Sequence, residues 1–231
     1  LELKNQKIIV CGDSFCTSMI WDRYHFSQIL EDTYGYQVTN LAHGNFSTVG
    51  ICFQIQQAIT MDPDIIIYNT TDASRFELVM NGKFDAAAGL RNIVYFDNGV
   101  TSYRRADTGD TESAVFSTNY ARLGERVYFR KNVETTQSQI DAVDQYMKHF
   151  FDYGLKTQTD SWMIGYWHQQ IIDAGITPVR LSRQDDIAKP MYAYAKNNPD
   201  CTAYYHTDPA TQEILAKNII QQLESQANEQ K

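Results

Sequence analysis

Short, unbroken apolar runs alternate with longer segments of helical period through residues 1–70. Lys7–Cys11 (KIIVC) is the first such run, and it ends in Gly-Asp-Ser, as a buried parallel strand entering a loop should. Tyr24–Tyr34 has helical character and stops at Gly35, a favourable C-cap residue. Gln37–Leu41 is the second predicted strand. Ser47–Met61 gathers Val49, Ile51, Phe53, Ile55, Ala58 and Ile59 on a broad apolar helical face, which Asp62-Pro63 terminates. Asp64–Tyr68 (DIIIY) is the third strand, again continuously apolar. Strand–helix–strand–helix–strand with short links predicts right-handed crossovers and a parallel sheet covered on both faces.

That rhythm breaks between about Phe76 and Thr135, where Asn-Gly, Asp-Asn-Gly and Thr-Gly-Asp turns and many Tyr residues appear without helical period. Helical character returns over Thr136–Asp152 and Asp160–Ala174. Gly175 caps the second of these, and Thr177–Leu181 (TPVRL) is the fourth strand. The last helix has Asp208 as N-cap and Pro209 at its first position, with Leu215, Ile219 and Leu223 repeating every four residues. The expected fold is a three-layer α/β/α sandwich around a mostly parallel sheet of about five strands. It forms one domain over residues 1–231, with residues 76–135 inserted as a partly β-structured lid or arm.

Composition narrows the function classes. With 231 residues and 43% hydrophobic content the chain can bury a substantial core. The net charge of −8, without a basic stripe, argues against a nucleic-acid partner. No apolar run is long enough for a membrane span, and the first seven residues lack a signal-peptide core. The chain starts at Leu1 rather than Met, which leaves an upstream signal open. Cys11, Cys16, Cys52 and Cys201 show no metal-binding spacing and read as reduced thiols, so no metal is expected and the setting reads as cytoplasmic.

The candidate chemistry lies at the strand ends. In a parallel α/β sheet the carboxyl ends of the strands form the ligand crevice. Cys11-Gly12-Asp13-Ser14-Phe15 places a hydroxyl there, although Gly-Asp-Ser alone is a common turn. Asn40-Leu-Ala-His-Gly44-Asn45 follows the second strand as a Gly-centred loop entering a helix, a source of oxyanion-binding N–H groups. Asn69-Thr70-Thr71-Asp72 follows the third strand, and His206 precedes the last helix. His25 and His43 read as structural, and His149 and His168 as packing or surface residues.

This ordered set resembles the SGNH (GDSL-like) hydrolases. Gly12-Asp13-Ser14-Phe15 is similar to the family's first block, which holds the nucleophile. The Asn40…Gly44 loop is similar to the second, Asn69–Asp72 to the third, and His206 with its helix to the fifth. The Asn40-Leu-Ala start and the Arg75/Glu77 pair look most like the divergent, phage-type members, for which a host cytoplasm or a virion is the expected location. The resemblance implies attack by Ser14 on an ester carbonyl with His206 as base. Gly44, with Thr71 or Asn69, would supply the oxyanion donors, and no cofactor would be needed. The substrate would be a small-molecule, lipid or carbohydrate ester.

Two departures stand out. Thr71 occupies the place of the third block's oxyanion Asn, and Ala203 that of the Asp three residues before the His. Losing one oxyanion donor typically costs about 10²–10³ in rate. A rival reading is therefore an inactive SGNH-fold binding or structural module, for example a virion-associated glycan binder. Tyr95, Tyr103, Tyr120 and Tyr128 in the insertion are candidates to line a sugar groove for the hydrolase's substrate, or else to pack or form a homo-oligomer contact. A flavodoxin-like nucleotide binder fits the strand pattern but lacks a glycine-rich phosphate loop.

Overall fold

The computed structural model of the chain describes residues 5–13, 15–17, 25–42, 46–71, 73, 93–95, 101–104, 111–115, 138, 141–142, 145–146, 149–181 and 209–229. Among these, the elements run β1 (Lys7–Cys11), α1 (Phe26–Asp32), β2 (Gln37–Asn40), α2 (Thr48–Thr60), β3 (Ile65–Asn69), β4 (Ile93–Tyr95), β5 (Thr101–Arg104), β6 (Thr111–Val115), α3 (Tyr153–Asp173), β7 (Thr177–Leu181) and α4 (Pro209–Glu229). Two compact units emerge. The first comprises Leu1–Gly44, Gln54–Thr70 and Trp167–Lys231, and the second Asn45–Phe53 and Thr71–Tyr166.

The first unit is built on a parallel sheet in the order β2-β1-β3-β7. The continuous apolar runs take the inner positions, as strands covered on both faces must. All five residues of β3 are buried, whereas β2 at the edge alternates between exposed and half-buried. One face carries Ile8, Val10, Ile65, Ile67, Val179 and Leu181, packed with Phe26 and Leu30 of α1 and with Leu215, Ala216, Ile219 and Leu223 of α4. The four-residue repeat expected of the last helix is thus its buried stripe. The opposite face carries Ile9, Ile66 and Tyr68, all buried, and the Tyr68 hydroxyl bonds His168 Nδ1 of α3 at 2.7 Å. Helices therefore cover both faces, and the fold is an α/β/α sandwich.

α3 starts at Tyr153, seven residues before the helix expected from Asp160 onwards. Asp152 is the reason: its carboxylate accepts the Leu155 N–H at 2.6 Å and its carbonyl the Lys156 N–H at 3.0 Å. That is N-capping, and it overrides Gly154 in the first turn. The far end matches expectation. Gly175, at φ +74°, gives its N–H to Ile172 C=O at 2.9 Å, while Ile176 N–H reaches Ile171 C=O at 3.1 Å. This Schellman arrangement needs a left-handed residue, which glycine adopts without cost from a Cβ.

The second unit contains a three-stranded antiparallel sheet, β4-β5-β6, with a register shift at Tyr103/Arg104. In the same unit Lys156 and Asp160 form an ion pair one turn apart on α3. Burial pushes the Asp160 carboxyl above its usual range, and the Lys156 ammonium opposes that rise. No helix among the described residues is long and apolar enough to cross a membrane.

Candidate active site

Parallel registry brings the ends of β1 and β3 together: Cys11 pairs with Tyr68, so the chain leaves the sheet with Gly12 beside Asn69. Three side chains and one backbone bond then fix the departing backbone. Gln54 of α2 accepts the Gly12 N–H through Oε1 at 2.5 Å. Asn69 Oδ1 accepts the Asp13 N–H at 3.2 Å, and Asn69 Nδ2 donates to Asp13 Oδ1 at 2.8 Å. The same Asp13 oxygen accepts the Phe15 N–H at 3.0 Å. Finally, Cys16 N–H closes a four-residue turn onto the Asp13 carbonyl at 3.0 Å. Asp13, Gln54 and Asn69 are fully buried.

The far side of this turn is held as firmly. Asn40, at the end of β2, donates through Nδ2 to the Cys16 carbonyl at 2.8 Å, and its Oδ1 accepts the Ala42 N–H at 2.9 Å. One side chain thus joins the β1 loop to the start of the loop after β2. The thiols of Cys11 and Cys16 are buried, and burial raises both above the ordinary thiol range, with the charge of Asp13 adding to the rise at Cys16. A thiol kept protonated is a poor nucleophile, so Cys16 is no competitor to a neighbouring hydroxyl.

His25 caps α1. Its Nδ1 accepts the Ser27 N–H at 3.3 Å and meets the Ser27 hydroxyl at 2.7 Å, which leaves the ring proton on Nε2. Burial lowers its pKa to about 4 against the pull of the Phe15 backbone, so the ring is neutral at pH 7. The sign of the linkage follows. The unfolded chain binds this proton near pH 6.5, so stability is complete above that pH and is lost as pH falls towards 4. A shift of this size corresponds to about 3 kcal/mol at most. Urea unfolding at pH 7 and 4.5 should therefore show a large acid loss in the wild type and a smaller one in His25→Asn, which caps without titrating. Equal losses would contradict a neutral, buried His25.

Of the residues singled out in the sequence, Asn69 lies at the end of β3, bonded to Asp13, and Thr71 lies two positions further on, half-buried. Ser14, Gly44 and His206 fall outside the described residues, as do His43, Asp72, Arg75, Glu77, Cys201 and Ala203. Their described neighbours Asp13, Phe15, Ala42 and Phe46 bracket two of the three loops. Sequence reasoning missed Gln54. Its signal was a polar residue in the buried stripe of Ile51, Ile55 and Ala58. It also missed Gln212, a buried glutamine on the apolar side of α4. Among the described residues no group of three or more His, Cys, Asp or Glu gathers as a metal site.

An esterase and a G-D-S-L family protein are among the chain's distant likenesses. The psychrotrophic esterase EstA from Pseudoalteromonas sp. aligns over 97% of this chain and 100% of its own, at 8% identity and a TM-score of 0.39. A lipolytic-type G-D-S-L family protein from Desulfitobacterium hafniense aligns over 92% and 99%, at 12% identity and a TM-score of 0.35. No family model and no curated protein sequence matches the chain.

Proposed function

We propose that this chain is a serine hydrolase of SGNH type that cleaves a carboxylic ester, with Ser14 as nucleophile and His206 as base. The observation that carries the reading is the turn closed from Asp13 to Cys16 and pinned by Gln54, Asn69 and Asn40 at the carboxyl end of a parallel sheet. Position 14 is the second residue of that turn. The closing bond of such a turn does not use the second residue's N–H, which suits it to an oxyanion hole.

Ser14 Oγ would attack the ester carbonyl carbon as His206 takes its proton. The tetrahedral oxyanion would rest on the N–H groups of Ser14 and Gly44, joined by Thr71 or by the second amide hydrogen of Asn69. Collapse would expel the alcohol, protonated by His206, and leave an acyl-Ser14 ester. Water, deprotonated by His206, would then release the acid and restore Ser14. The substrate class is a short acyl ester on a small molecule or carbohydrate, and no cofactor takes part.

The second reading is a non-catalytic glycan-binding module. It is favoured by Trp162 and Tyr166, two large aromatic residues that stand 64% and 58% exposed one turn apart on α3. Intact-mass analysis after fluorophosphonate treatment separates the two. A single adduct on the wild type, absent from Ser14→Ala and strongly slowed in His206→Ala, is the expected result. No adduct on folded wild-type protein, or one that persists in Ser14→Ala, would overturn the hydrolase assignment.

A further inference from the structure

We infer that Gln212 is a positioning residue: it registers the helix that follows His206 against the loop that carries Ser14. The inference rests on the hydrolase reading, because it concerns the relative placement of that nucleophile and that base.

Gln212 lies in the first turn of α4, six residues after position 206, and is 2% exposed. Its Oε1 accepts the Phe26 N–H at 2.8 Å across 186 residues of sequence. Phe26 is the first residue of α1, where backbone N–H groups have no partner within the helix. The next N–H, of Ser27, is met locally by His25. The Phe26 N–H is met instead from the other end of the chain, so α1 can be fully capped only when α4 is in register with it.

From α1 the connection continues to the nucleophile loop. Ser27 Oγ lies 3.5 Å from Asn40 Nδ2, which donates to the Cys16 carbonyl at 2.8 Å. Cys16 in turn closes the turn around position 14. Every link lies within one compact unit. Packing alone would hold the helices together without any of these bonds, since Phe26, Leu30, Leu215, Ala216 and Ile219 share one core. Apolar contacts, however, do not choose between small slides along a helix axis, whereas a hydrogen bond does. A glutamine buried in an otherwise apolar contact has this as its use. A misplacement of about 1 Å between reacting groups can cost about 10² in rate, and α4 begins three residues after the base.

The test is the second-order rate of fluorophosphonate labelling at Ser14, followed from pH 6 to 9, in wild type, Gln212→Met, Gln212→Glu and Ser27→Ala. Met keeps the length of Gln but has no comparable acceptor, and Glu keeps the acceptor. Gln212→Met should label at least ~10-fold more slowly across the profile, and Gln212→Glu should recover most of that loss. Wild-type labelling rates in Gln212→Met, or equal slowing in Met and Glu, would overturn the inference and leave the hydrolase reading standing. Wild-type protein that is not labelled at Ser14 would instead remove the reading on which it rests. Should Gln212→Met not fold, Ser27→Ala decides: slowed labelling supports the registering chain, and an unchanged rate overturns it.

Discussion

Gly12→Ala is expected to unfold several degrees earlier than the wild type and to lose reactivity at Ser14. A Cβ built at Gly12 meets Asn69 Oδ1 in hard overlap and lies 2.8 Å from both Cβ and Sγ of Cys16. None of these atoms can give way cheaply. Asn69 is held at both ends of its amide by Asp13, and Cys16 is buried and bonded through both its N–H and its carbonyl. Gly12 also sits at φ +157°, where residues with a Cβ are rarely found. Such backbone costs about 1–3 kcal/mol for a non-glycine residue, and overpacking adds a similar amount. The sum of about 2–6 kcal/mol corresponds to a fall in Tm on the order of 5–20 °C for a chain of this size. Relief of the overlap would also move Cys16 away from its bond to Asp13, so the turn around position 14 would open. Thermal unfolding monitored by circular dichroism gives the first number, and fluorophosphonate labelling of the folded fraction gives the second. A variant within about 1 kcal/mol of wild type that still labels normally would show that the corner is far softer than its packing implies.

The second large effect concerns Asn69. In Asn69→Leu the Asp13 N–H loses its acceptor and the Asp13 carboxyl loses a donor, with both groups fully buried. An unsatisfied buried group costs about 1–3 kcal/mol, and more when it is charged. Stability should fall by about 3–5 kcal/mol. The two side chains act as a unit, so a double-mutant cycle between Asn69→Leu and Asp13→Ala should show a coupling of about 1–3 kcal/mol. Additive losses in urea unfolding would mean that the two residues stabilise the protein separately. Removal of Asn69 should also slow labelling at Ser14, because the Asp13 oxygen that accepts from Asn69 is the one that holds the Phe15 N–H.

Much of the frame was legible in the order of the residues. Ile8–Cys11 and Ile65–Tyr68 are uninterrupted apolar runs, and a strand covered on both faces is the arrangement that hides them. Gly175 marked a helix end and Pro209 a helix start, since each is a local backbone preference. The buried stripe of Leu215, Ile219 and Leu223 is a periodicity. All of these depend on neighbours within a few positions. The start of α3 at Tyr153 was missed even though its cause is local: in the sequence Asp152 reads as the end of one helix, whereas its carboxylate caps the start of the next.

The bonds that shape the candidate site have a different origin. Gln54 to Gly12, Asn69 to Asp13 and Gln212 to Phe26 join residues 42, 56 and 186 positions apart. The β1–β3 register decides that Asn69 meets Asp13, and the packing of helices on the sheet decides the other two. The sequence singles out Asn69 as an oxyanion donor and holds no sign of its bonds to Asp13. Only the registry of Cys11 with Tyr68 places it against Asp13. A single side chain carries information about the groups it can bond, but the identity of its partner belongs to the packed chain, because burial removes the water that would otherwise serve.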